Sequence, residues 1–97
     1  MPETPLGLES TFSFLRAAYP NGLPERDYMP LLSILWDYMS ERALGQTFEV
    51  LFERDRHFVQ NDAAAAKSSS PPPPAEVERV REYLLQFGLE RWISESD

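Results

Sequence analysis

The chain has 97 residues, 42% of them hydrophobic and 12% aromatic, with a formal charge of −7 and no cysteine. That is apolar material for one small packed domain, able to bury roughly 60% of its unfolded surface, and it excludes disulfides and thiolate metal sites. The charge is spread along the chain rather than gathered in a tail, so the surface opposes nucleic acid backbones and anionic lipid heads, which bind through Lys and Arg.

Residues 1–7 read as a loose N-terminus, and residues 1–10, with Glu3, Glu9, two prolines and no basic segment, do not read as a leader. No apolar run approaches the ~20 residues of a membrane span. A soluble cytoplasmic protein, with no membrane and no nucleic acid partner, is the expectation.

From Leu8 or Ser10 to Ala18, the residues Leu8, Phe12, Leu15 and Tyr19 recur at helical spacing, with Phe14 and Ala18 beside them. Ser10 or Glu9 would serve the N-terminal end. Pro20 pushes Tyr19 out of the helical region, and Pro20-Asn21-Gly22 suits a type I turn. Asp27 is placed to cap a second helix starting near Tyr28, which puts Pro30 in the first turn, where it is tolerated. Along that helix Tyr28, Leu31, Leu32, Leu35, Trp36 and Met39 form one face, which Ile34 and Tyr38 widen beyond an ordinary amphipathic stripe. It should be contacted from two sides.

Ser40 is the natural cap for a third helix over Glu41 to about Arg54, with Leu44, Thr47, Phe48, Leu51 and Phe52 inward. Gly45 costs that helix about 1 kcal/mol relative to alanine, a cost that a closely approaching neighbour would justify. Asn61 or Asp62 could cap a short helix over the alanines to Lys67. Residues 68–74, three serines and four prolines, read as a stiff linker inside the domain. A last helix then opens with proline at Pro74, runs through Val77, Val80, Leu84 and Phe87, and stops at Gly88. Trp92 and Ile93 could add a final apolar contact before a polar tail at 94–97. The expected fold is all-α: one domain over residues 1–97, a compact bundle of four to five short helices around a central apolar helix.

No known chemistry is spelled out. Glycines are not grouped as a phosphate loop requires, and no serine lies in a Gly-x-Ser-x-Gly elbow. His57 is the lone histidine, and with Glu53 four residues earlier could share a helix face; a solvated helix end is the simpler reading. The second and third helices imitate a helix-turn-helix, but the third presents Glu41, Glu49 and Glu53 outward. No cofactor, metal or catalytic residue is assigned. Pro71 to Pro74 could serve as a ligand for a proline-recognition domain, although a connector is simpler.

The run from Phe14 to Leu32, with its Leu-Arg-Ala-Ala-Tyr-Pro-Asn-Gly-Leu-Pro core followed by Asp27 and a leucine-rich helix, resembles the signature of a family of short actinobacterial, largely mycobacterial, proteins of unknown function (DUF 3349). Pro74 to Arg81 resembles that family's closing helix, so the likeness spans about residues 12–88. The resemblance implies a compact, all-helical monomer and brings no activity to carry over.

Two functions remain open on these residues. One is a protein-interaction or regulatory module, with a possible protein partner meeting aromatic surface such as Trp36. The other is a small-ligand binder or enzyme with a pocket near the Pro20–Asp27 turn, using Arg16, Tyr19, Arg26 and Asp27, with His57 a further candidate surface residue.

Overall fold

The computed structural model describes residues 7–95. The loose start at 1–7 therefore falls, but for Gly7, outside the described residues. Six helices and no strand occupy those residues: α1 Glu9–Ala18, α2 Glu25–Trp36, α3 Glu41–Phe52, α4 Arg56–Ala66, α5 Pro74–Leu85 and α6 Leu89–Glu95. The fold is all-α, with one helix more than the upper count read from the sequence.

α2 is the centre. Leu31, Leu32, Ile34 and Leu35 are all buried, as are Tyr28 and Pro30. The helix packs against α3, α4 and α5, which is why its apolar face exceeds half the circumference: three neighbours demand more than one stripe. The helix ends at Trp36, which is half-buried, so Tyr38 and the half-buried Met39, read from the sequence as part of its face, lie beyond it.

Its start corrects the expectation. The helix opens at Glu25, with extended Pro24 (φ −61°, ψ 141°) as its N-terminal flank and no side-chain cap. Proline already holds the chain in the geometry that a capping residue adopts, so Asp27 falls inside the first turn, where its own N–H bonds the Pro24 carbonyl (2.9 Å). Its carboxylate is left for other partners. Pro30 consequently sits inside the helix rather than in the first turn.

The Pro20 turn forms as anticipated, closed by the Gly22 N–H donating to the Tyr19 carbonyl (3.3 Å). α1 needs no serine cap; Leu8 flanks it, and the Glu9 carboxylate accepts from the Gly7 N–H (3.0 Å). Ser40 does cap α3, its hydroxyl accepting from the Ala43 N–H (3.1 Å). Gly45 is explained by close approach: a Cβ there would lie 3.2 Å from both the Cβ and the carbonyl oxygen of Arg56 and 3.0 Å from Gln60 Nε2. It lets α3 and α4 touch.

α4 begins earlier than the alanine run predicts. Asp55, not Asn61 or Asp62, is the cap, its carboxylate accepting from the N–H groups of His57 (2.8 Å) and Phe58 (3.3 Å). Val59, Ala63 and Ala66 then form the buried stripe. The spacing is helical, but the charged residues around it hide it. The Ser/Pro segment leads into α5 with Pro74 in its first turn.

At Gly88 (φ 94°) the chain takes a left-handed step that glycine makes cheaply, and α6 follows. α6 runs through Ser94 to Glu95, so the polar end is helical as far as it is described. Trp92 docks it: the indole stacks on Phe14 (centroids 5.3 Å, planes 17° apart) and its Nε1–H donates to the Thr11 hydroxyl (2.9 Å). α1 and α6 are thereby joined.

Candidate functional site

The residues between α1 and α2 do more than reverse the chain. With α5 they enclose a cleft of about 500 Å³, lined by Tyr19, Pro20, Asn21, Gly22, Pro24, Arg26 and Asp27, and by Arg79 and Tyr83 of α5. Its size lies within the range of small-ligand sites.

Asp27 is at its base. Buried to 6% exposure, it accepts from the Tyr19 hydroxyl through Oδ2 (3.0 Å) and pairs through Oδ1 with Arg79 Nη2 (2.9 Å). Freed from capping, the carboxylate ties the turn to a helix far along the chain. Arg79 also donates from Nε (3.2 Å) and Nη2 (3.0 Å) to Glu76 Oε1, one helical turn earlier. Glu76 in turn receives Arg26, from Nε to Oε1 (2.9 Å) and from Nη2 to Oε2 (3.4 Å). The order is therefore Tyr19, Asp27, Arg79, Glu76, Arg26. Tyr83 completes the wall, its hydroxyl donating to the Ala18 carbonyl and its ring 5.4 Å from that of Tyr19.

Three groups of the network are shifted from their ordinary values. Burial, then the adjacent Asp27 carboxylate, pushes the Tyr19 phenol well above its ordinary range. Hydrogen bonds from Arg26 and then Arg79 hold the Glu76 carboxyl down at about 2. The hydrogen bond to Glu76 raises Arg79 further.

Of the residues singled out from sequence, Tyr19, Arg26 and Asp27 meet here. Arg16 does not: it lies on the other side of the turn, its guanidinium 5.6 Å from the Phe12 ring centroid, and lines a second cleft of about 350 Å³ with Val50, Leu51 and Phe52. Trp36 and His57 line neither cleft. His57 lies in the first turn of α4, at its positive rather than its negative end, and Glu53 belongs to the end of α3 in a left-handed conformation (φ 56°). The two share no helix face. Among the described residues no group of three or more His, Cys, Asp or Glu side chains is arranged to hold a metal. Sequence reasoning missed Glu76, Arg79 and Tyr83, although their i, i+3, i+7 spacing places them on one side of α5.

The fold and cleft define a small all-α protein with one polar-based groove between a proline-rich turn and a helix. The family described as "Protein of unknown function (DUF3349)" matches residues 7–92, and the chain belongs to it. Neither a curated protein nor a solved structure matches the chain. Among the described residues no helix is long and apolar enough to cross a membrane.

Proposed function

We propose that the protein is a cytoplasmic, monomeric binding module without catalysis, and that the cleft between the Pro20–Asp27 turn and α5 is where it holds a small ligand. The observation that carries this reading is the Tyr19–Asp27–Arg79 network at the base of the cleft, which gives it fixed polar walls. General acid–base work favours a group poised near the working pH. In the cleft, Tyr19 is driven up and the neighbouring Glu76 held at about 2, so both stay in one state through neutrality. Side chains already bonded to one another suit recognition better than proton transfer.

The protein-partner reading has one observation in its favour, Phe58, which is 69% exposed in the first turn of α4. Such a ring contributes to an interface when it enters a partner's pocket.

A fragment screen read by amide chemical shifts separates the two readings. Ligand-induced shifts clustered at residues 18–27 and 79–83 are the expected result. Shifts confined to the α4 surface around Phe58, or none, would overturn the cleft assignment.

A further inference from the structure

The two arginines of the cleft, Arg26 and Arg79, are balanced by Asp27 and Glu76, so this cluster is neutral within a chain of net charge −7. The lining itself holds both guanidiniums and only one carboxylate. That carboxylate, Asp27, is sealed, its side chain only 9% exposed and its two oxygens taken by Tyr19 and Arg79. Glu76 is not part of the lining; it bonds both guanidiniums from outside it. The arginine bonds to Glu76 and Asp27 use Nε and Nη2 in both arginines, so each guanidinium keeps its Nη1 donors beyond those bonds.

Resting on the reading of the cleft as a ligand site, we propose that it takes a small molecule with an oxyanion, carboxylate or phosphate, on an apolar body. The oxyanion meets Arg26 and Arg79, and the apolar body lies against Pro20, Pro24 and Tyr83. Arginine presents a rigid fork matched to planar or tetrahedral oxyanions. Glu76 acts as a positioning residue. By holding both forks before the ligand arrives, it removes much of the ordering cost that a long side chain otherwise adds to binding. The exposed Arg26, whose side chain is 68% accessible, is the gate-side member of the pair, and the less exposed Arg79 is the inner one.

The test titrates the full chain with benzoate and phenyl phosphate as the two oxyanion arms, and with benzyl alcohol and benzylamine as neutral and cationic counterparts, following amide shifts. Either or both anions should move Gly22, Arg79 and Tyr83, and the stronger arm identifies the oxyanion. Arg26→Gln should weaken that binding about tenfold, the worth of one charge-assisted hydrogen bond. Arg81→Gln, at a residue outside the cleft that is paired with Glu78, should leave it unchanged. Added salt should weaken anion binding. If benzyl alcohol or benzylamine binds the cleft as tightly as the anions, or if Arg26→Gln changes nothing, the oxyanion inference falls while the ligand site stands. If none of the four probes moves the cleft residues, the inference and the site both fall.

Discussion

Two tyrosine–aspartate pairs meet α2 at adjacent residues and serve different ends. Asp27 receives the Tyr19 hydroxyl, and its neighbour Tyr28 sends its own hydroxyl the other way, to Asp62 Oδ2 on α4 (2.6 Å). Each pair has an arginine. Arg79 bonds Asp27 directly, whereas Arg54 stacks over the Tyr28 ring (4.2 Å to the centroid) and reaches Glu25 (2.8 Å). Burial leads in raising both phenols above their ordinary range. The difference lies in what surrounds them. The first pair stands under a cleft and joins a turn to α5; the second lines none of the clefts described above and clamps two helices already packed together. The same chemistry makes a site in one place and a brace in the other, because one lines a cleft and the other does not.

Substitutions should widen or close that contrast. The largest effect is expected for Asp27→Ala, which strands a buried phenol and removes one of the two carboxylates of Arg79; about 3 kcal/mol of unfolding free energy should be lost in urea titration. Asp62→Ala removes a single partly buried hydrogen bond from a pair that helix packing already holds, so about 1–2 kcal/mol is expected. Equal losses at the two positions would break the comparison. Glu53→Gly should go the other way. Glu53 is the one non-glycine residue with positive φ among those described, just before Arg54, and glycine there should add about 1 kcal/mol while leaving the brace intact.

Acid sharpens the contrast further. Glu76 sits at about 2 in the folded protein against an ordinary 4.5, so between those values the unfolded chain binds the extra proton. Stability present above pH 4.5 should drain as pH falls toward 2, and Glu76→Gln should flatten that part of the profile. Above pH 10 the unfolded phenols ionise before the folded ones, so stability should fall again as pH rises, in both Tyr19→Phe and Tyr28→Phe less steeply than in the parent.

What could be read from the chain was what neighbours in sequence decide. The Pro20 turn, the Ser40 cap, the proline start of α5 and the breadth of the α2 apolar face all arise from residues a few positions apart, and all are found in the fold. α4 was half legible, because Asp55 caps it through charged residues that carry little periodicity, and only the alanines stood out. α6 was hidden by its brevity; a helix of this length is stable only once Trp92 is docked on Phe14. For the site, the turn residues were visible and the α5 residues were not. Asp27 looks like a cap to a reader who sees only its neighbours. Its true partners, Tyr19 across the turn and Arg79 on a distant helix, emerge only when packing brings them together.

The central claim is that Asp27 is coupled to Tyr19 as the base of a cleft rather than spent on capping α2. A double-mutant cycle of Tyr19→Phe and Asp27→Asn, followed by urea unfolding, measures that coupling directly. The account predicts an interaction energy of about 1–2 kcal/mol. Additive losses, with no coupling between the two positions, would contradict it.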